Sequence, residues 1–197
     1  MVAKRQSPTL NYYLSLEHGS DTDRVPRAWR DDPRFGRLSL YGLSSLNYSL
    51  TGCLLLALLH LSSEQRITAS RIEAAFWVWQ GLISYQCDVV DIGIRSWSHP
   101  VDRISATIFT VQQAVKYIFL VRCSGQYGAM LLSFLYVCLC GGIMFFRWSC
   151  AACRAQDREA FCFWHVAWHY TFPLAMVTFH VTQHCAPEWA LQCYSSS

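Results

Sequence analysis

The sequence predicts an all-α fold, a polytopic transmembrane bundle of about five spanning helices. Two features of composition favour this fold class. Hydrophobic residues make up 53% of the 197-residue chain, and charged residues only 15%, against roughly a quarter in an average soluble domain. The charges are also concentrated in the first 37 residues, so long uncharged stretches follow. This composition excludes a disordered chain, and the net charge of +3 argues against a nucleic-acid partner.

Five charge-poor runs predict the spanning helices, which cover approximately residues 38–62, 72–91, 103–121, 125–146 and 160–182. A helix needs about 20 mostly apolar residues to cross a hydrocarbon core of about 30 Å. The first, fourth and fifth runs reach this length without a charge. The second does so only if Asp88 and Asp91 lie at its end, and the third only if Lys116 reaches towards an interface. The competing interpretation, that these two are core helices of a soluble protein, is disfavoured because too few polar residues remain to cover such a core.

Basic residues outside the helices predict the orientation, because Lys and Arg concentrate on the cytoplasmic side of a membrane. Twelve of them lie on the side of the N-terminus and three on the other side. We therefore expect an integral, multi-pass protein with its N-terminus inside and its C-terminus outside. Residues 1–37 would be a cytoplasmic Arg-rich segment, 38–184 the transmembrane domain and 185–197 a short outer tail. No apolar segment lies near Met1, so helix 1 is expected to act as the insertion signal.

Polar side chains inside the predicted spans are candidate functional groups, because a charge within the membrane needs a partner or water. On helix 2 they follow one another at intervals of four, four and three residues, which places them on one helical face. Another begins helix 3 at the same depth, and a histidine pair lies in the cytoplasmic half of helix 5. Together they are Gln80, Ser84, Asp88, Asp91, Asp102, His165 and His169.

The histidine pair predicts a metal site. His165 and His169 are four residues apart, so both imidazoles can reach one ion. A carboxylate from helix 2, Asp88, would complete three protein ligands and leave a fourth position for water, which is typical of catalytic Zn²⁺. We expect Asp102 to act as the general base and Ser84 to polarise a carbonyl or stabilise an oxyanion.

These spaced residues resemble the CREST-type superfamily of membrane hydrolases, which includes alkaline ceramidases, progestin/adiponectin-type receptors, haemolysin-III-like proteins and Per1-like lipid-remodelling proteins. In that superfamily three His hold zinc, an Asp assists its water, and a Ser lies beside the reacting centre of a seven-helix bundle. The resemblance equates Ser84 with that Ser, Asp102 with that Asp, and His165 and His169 with the terminal HxxxH motif. It implies a zinc-dependent hydrolase acting on an amide or ester bond of a membrane lipid. Here Asp88 replaces the first zinc His, and five helices are predicted instead of seven.

Other functions remain open. The same residues could hold a structural metal or form a polar network in a non-enzymatic receptor or scaffold. A haem held by two histidines is a further alternative, with His60 at the outer end of helix 1 and His180 or His184 in helix 5.

Three smaller questions also stay open at this point. His99, which precedes a proline, is an alternative to Asp88 as the third metal ligand. A homo-oligomer could complete the small bundle. Cys185 and Cys193 could be oxidised together on the outer side.

Overall fold

The computed structural model describes residues 25–61, 67–94, 96–123 and 128–185. Six α-helices and no strand occur in these ranges, so the predicted all-α class is confirmed. The helices are α1 (Leu40–Ser45), α2 (Asn47–Leu61), α3 (Ile67–Tyr85), α4 (Ser98–Cys123), α5 (Gly128–Arg154) and α6 (Arg158–Cys185). The remainder of the predicted N-terminal segment, residues 1–24, lies outside the described residues, as does the outer tail beyond Cys185.

The first predicted helix, 38–62, is bent. The 3₁₀ turn Pro33–Phe35 and α1 together make an angle of 46° with α2. Ser39 caps α1, since its hydroxyl accepts a hydrogen bond from the Gly42 amide at 3.1 Å. Near the bend, the Ser44 hydroxyl donates to the Tyr41 carbonyl at 2.7 Å, a local bond that often bends helices. The bend places α1 beside the start of α6.

Helix α3 ends in a π-helical turn, Gln86–Val90. Within it the Asp91 amide donates to the Gln86 carbonyl at 2.8 Å, a bond that spans five residues. Such a turn adds a residue to the helical repeat and is common at functional sites. It changes the direction in which Asp88 points relative to a continuous α-helix. The predicted helix 72–91 therefore corresponds to α3, which begins earlier, followed by this turn.

Close packing joins α2 to α3. A Cβ added at Gly52 would lie 2.6 Å from the Ala74 carbonyl oxygen, and one at Gly81 would overlap Ser49. The Ser49 hydroxyl donates to the Val78 carbonyl at 2.6 Å across the same interface. Small residues therefore allow the two backbones to approach each other directly.

Helix α4 has an apolar outer face and a polar inner face. Five apolar side chains at helical spacing are between 46% and 62% exposed: Ile104, Ile108, Val111, Val115 and Ile118. In contrast, Ser105 and Gln113 are buried on the inner side. Other exposed large hydrophobic side chains occur on every helix. This arrangement is the reverse of that expected for a helix facing water.

By length and composition, one helix of the described ranges qualifies by itself as a membrane span. It is the portion Leu132–Arg154 of α5. The bent segment Pro33–Ser45 plus Asn47–His60 would be a second span if it is taken as one unit.

A buried ion pair links α3 to α4. Glu73 is 3% exposed and pairs with the Lys116 ammonium group. Its other oxygen accepts a hydrogen bond from the Gln113 amide at 2.6 Å. His180 of α6 lies 3.9 Å from the same carboxylate. Lys116 was expected to reach towards an interface, whereas its ammonium group instead pairs with Glu73 inside the bundle.

The close approach of α2 to α3 predicts different outcomes for two glycine substitutions. Gly81→Ala should lower the free energy of unfolding by about 1–3 kcal/mol, because the new methyl group overlaps Ser49. Gly141→Ala is the matched control, since its Cβ would meet only the Phe145 ring at 3.9 Å. Thermal unfolding in detergent measures both. A Gly81→Ala protein as stable as the Gly141→Ala protein would contradict this packing.

The buried ion pair predicts a rescue. Lys116→Met should cost about 3–5 kcal/mol, because it leaves the Glu73 carboxylate buried without its cation. The double variant Glu73→Gln/Lys116→Met removes both charges and should regain most of that stability. The same unfolding assay compares the two with the unmodified chain. A single variant of undiminished stability would show that the pair contributes nothing.

Candidate metal centre

Asp88, His165 and His169 converge on one point. A nitrogen from each imidazole and an oxygen from the carboxylate all lie within 4.8 Å of one another. The Asp88 Oδ2 atom is 3.3 Å from Nε2 of His165 and 3.3 Å from Nε2 of His169. The side chains are 10%, 15% and 3% exposed, respectively. The three predicted metal ligands are thus brought together, away from bulk water.

Aromatic packing holds the two imidazoles in place. The His165 ring stacks on Tyr41 and on Phe161, with ring centroids 5.1 Å apart in each case. The His169 ring meets the edge of Tyr48 at 5.7 Å. Because the two histidines are one turn apart on α6, their rings are also neighbours, with centroids 4.5 Å apart. Both nitrogens therefore face Asp88 with little freedom to rotate.

The hydrogen bonds of Ser44 determine which nitrogen of His169 carries the proton. The Ser44 hydroxyl donates its only hydrogen to the Tyr41 carbonyl. It must therefore accept at His169 Nδ1, 3.0 Å away, so Nδ1 carries the hydrogen. In the neutral ring, Nε2 then presents a lone pair to the Asp88 carboxylate. Two electron-pair donors 3.3 Å apart repel each other unless a cation lies between them.

His165 has the same requirement. Its Nδ1 lies 3.3 Å from the Ser149 hydroxyl. Its Nε2 is buried and makes no hydrogen bond to any described residue, since its short distance to Asp88 lacks the required alignment. A buried nitrogen without a partner is costly. A metal ion would satisfy it, and two His with one carboxylate form a donor set that Zn²⁺ accepts. The residues present therefore fit the metal.

Hydroxyl groups support the ligands from outside. Ser45 donates to Asp88 Oδ2 at 2.9 Å, and Ser84 approaches the same oxygen at 3.5 Å. Ser44 and Ser149 contact the far nitrogens of the two imidazoles. Hydrogen bonds of this kind orient metal ligands and adjust their basicity.

Asp102 lies next to this group and is not one of its members. The Gln80 amide donates to Asp102 Oδ1 at 2.8 Å, and the Ser105 hydroxyl donates to the Gln80 carbonyl oxygen. The Ser84 hydroxyl donates to Asp88 Oδ2 at 3.5 Å and also lies close to Asp102. The predicted catalytic pair, Asp102 and Ser84, therefore adjoins the metal ligands through the Ser84 hydroxyl.

His99 does not lie with the converging ligands, although it was an alternative to Asp88 as the third metal ligand. Its Nδ1 lies 2.8 Å from the Cys87 sulfur, and its Nε2 lies 3.0 Å from the Ile94 carbonyl oxygen. Asp91 accepts a hydrogen bond from Ser98 at 2.7 Å. Both residues thus join the π-helical turn to the start of α4. Neither belongs to the converging ligand group.

The histidines of the haem alternative lie elsewhere. His60 is exposed on α2, whereas His180 is buried beside Glu73 on α6. The side chains of His184 and Cys185, and the whole of Cys193, lie outside the described residues. The haem and disulfide interpretations therefore stay untested.

An N-terminal cap packs against the start of α6, beside the centre. We define the cap as residues 25–41. Trp29, Phe35 and Tyr41 are at most 2% exposed and pack with Phe161 of α6. Gly93 follows the π-helical turn at φ 69°, where a side chain would be strained and would meet Arg27 of the cap.

Asp32 connects the cap to α6. Hydrogen bonds from the Arg34 side chain and backbone, together with one from Arg158, hold the pKa of its carboxyl well below its usual range. Arg158 belongs to α6 and is 3.0 Å from the carboxylate. The cap is therefore tied to the helix that carries both metal-binding histidines.

Several of these contacts were missed by sequence reasoning. Tyr41, Ser44, Ser45 and Ser149 were not predicted to belong to the site, because none of the predicted site residues lies on α1 or α5. The adjacent Ser44 and Ser45 were the available signal, since neighbouring hydroxyls in an apolar run need internal partners.

Comparison with known proteins adds no relative. No family model, no curated protein and no solved structure matches this chain. The function is therefore inferred from the chemistry of the site.

The converging ligands predict a pattern of metal retention. His165→Ala and His169→Ala should each abolish stoichiometric zinc, whereas Asp102→Asn should retain it because Asp102 is not a ligand. Ser44→Ala should weaken the affinity by about 10–100-fold, because it removes the group that sets the orientation of His169. Elemental mass spectrometry and competition with a chelator measure these effects. A wild-type protein purified with zinc in the buffer but holding no metal would refute the site.

Proposed function

We propose that this chain is an integral, multi-pass membrane protein that binds Zn²⁺ through Asp88, His165 and His169 and hydrolyses an amide or ester bond of a membrane lipid. The observation that supports it most directly is the convergence of these ligand atoms, with the buried Nε2 of His165 lacking a hydrogen bond among the described residues. The adjacent Ser84 and Asp102 provide the hydroxyl and the carboxylate that a hydrolytic centre needs.

The apolar outer surface supports membrane integration through several helices. Helices α4, α5 and α6 contain 26, 27 and 28 residues, which correspond to about 39–42 Å and exceed a hydrocarbon core of about 30 Å. Helix α4 is too polar overall to qualify as a span by composition, yet its polar residues lie on the inner face. Intramembrane polar groups are expected to face the bundle interior in this way. The excess of basic residues near the N-terminus favours a cytoplasmic location for the centre.

Each residue near the metal ligands has its own role in the proposed hydrolysis. Zinc supplies Lewis acidity and a nucleophilic water when it is bound. The Gln80 amide orients the Asp102 carboxylate, which accepts a proton from the attacking water and returns it to the leaving amine or alcohol. The Ser84 hydroxyl rotates from its carboxylate partners to the carbonyl oxygen of the substrate, where negative charge develops. The aromatic walls exclude bulk water.

A structural metal is the second candidate function, in a membrane receptor or scaffold. One observation favours it: the three ligand side chains are at most 15% exposed, which leaves little room for a lipid carbonyl beside the ion. A centre that stays this closed would hold its ion without turning over a substrate. The aspartate in place of the first histidine and the small number of helices also favour this function.

The hydrolase proposal predicts a variant that loses turnover but keeps its bound zinc. Asp102→Asn should reduce turnover by about 10²–10⁴-fold while zinc remains bound, because it removes the proton acceptor and no ligand. Ser105→Ala changes the same hydrogen-bonded chain at a residue that is separated from the Asp102 carboxylate by Gln80. It should therefore reduce turnover less. Release of product from fluorescent lipid amides and esters in nanodiscs provides the measurement. Zinc-loaded wild-type protein that is inactive on the whole panel would favour the structural metal instead.

A further inference from the structure

An apolar groove runs along α6 beside the metal centre. We call it the α1–α6 groove. Its walls are Leu40 of α1 and Cys162, Phe163, Val166 and Ala167 of α6, and its volume is about 410 Å³. This volume lies within the range of roughly 300–1,000 Å³ that is common for small-molecule sites. Leu40 is 66% exposed and Phe163 is 63% exposed, so the groove is open to whatever surrounds the bundle.

Each wall of the groove includes a residue that is next in sequence to a residue of the centre. Val166 directly follows His165 in α6, and Leu40 directly precedes Tyr41, whose ring stacks on His165. An acyl chain lying in the groove would contact Val166 and Leu40, the sequence neighbours of His165 and Tyr41.

Paired charges close one end of the groove. Arg34 and Glu159 line it, and their side chains are 3.4 Å apart. Glu159 is 87% exposed, so this contact contributes little to stability and can be exchanged for another partner. Arg34 is held on its other side by Asp32, which also receives Arg158. Arg34 and Glu159 therefore line the end of the groove, with Asp32 and Arg158 behind them, and these four groups together carry no net charge.

We propose that the α1–α6 groove binds one acyl chain of a zwitterionic glycerophospholipid, with the lipid phosphate at Arg34 and the headgroup ammonium at Glu159. The apolar walls complement the acyl chain. Opposite charges side by side complement a headgroup that also carries both signs, and the lack of net charge gives no advantage to an anionic lipid. The assignment rests on the proposed function only in naming the lipid class presented to the centre; binding in the groove does not require the metal.

Native mass spectrometry of the full chain tests this proposal, with phosphatidylcholine and phosphatidylglycerol of identical acyl chains as probes. The wild-type protein should retain one phosphatidylcholine at least about tenfold more strongly than phosphatidylglycerol. Ala167→Trp fills the groove and should lower this retention about tenfold. The matched control is Ala75→Trp, an exposed position on α3 away from the groove, which should leave it unchanged. Glu159→Lys should reverse the preference, because it gives the rim a net positive charge.

Three results would overturn the proposal: equal retention of the two lipids by the wild type, the same lipid retention in both tryptophan variants, or loss of a dimer mass on Ala167→Trp without loss of lipid. The last result would identify the groove as an interface between copies of the chain. His165→Ala separates this question from the hydrolase. That variant should lose zinc and keep the lipid, which shows that the groove does not need the metal. Zinc-loaded wild-type protein that selects phosphatidylcholine but hydrolyses none of the lipids supports the groove while the proposed function fails.

Discussion

The contact between the Asp88 carboxylate and two imidazoles is the interaction on which the arrangement of this end of the bundle depends. Asp88 comes from the π-helical turn, and both histidines come from α6. Ser45 adds α1 through Asp88, and Ser149 adds α5 through His165. One small polar centre therefore connects four segments that are distant in sequence. Its stability requires a positive charge, because the carboxylate faces at least one nitrogen lone pair.

Glu73 offers a comparison, because it is a second buried carboxylate and has a cation as its partner. Glu73 lies 15 residues before Asp88 on the same helix, about 22 Å away if α3 is regular. It is paired with Lys116, and Gln113 satisfies its other oxygen. No arginine or lysine pairs with Asp88 among the described side chains. Both carboxylates are nearly buried, so the difference between them is that Asp88 has imidazoles and no lysine or arginine as partners for its charge.

Helical spacing explains what could be predicted from sequence alone. His165 and His169 share a face because they are one turn apart, and Ser84 and Asp88 do so for the same reason. The shared depth of α3, α4 and α6 followed from the positions of the charges. The bend before α2 and the π-helical turn depart from regular helical spacing, so the roles of Ser44, Ser45 and Tyr41 could not be inferred from that spacing. The five-span topology stays a proposal, since by composition the described helices include one span, or two.

The cap and the centre are physically coupled through one ring. Tyr41 stacks on His165 and also contacts Phe35 of the cap, with ring centroids 4.9 Å apart. Asp32 and Arg158 hold the cap to α6 through partly exposed ion pairs, which are individually weak. The ion pair at the edge of the cap is therefore weak, whereas the aromatic side chains of the cap are buried and closely packed. A ligand that stabilises the His165 ring also stabilises the closed position of Tyr41, because binding to one state shifts the equilibrium towards it. Metal binding and closure over the centre are therefore expected to reinforce each other, whether the ion acts in hydrolysis or in structure.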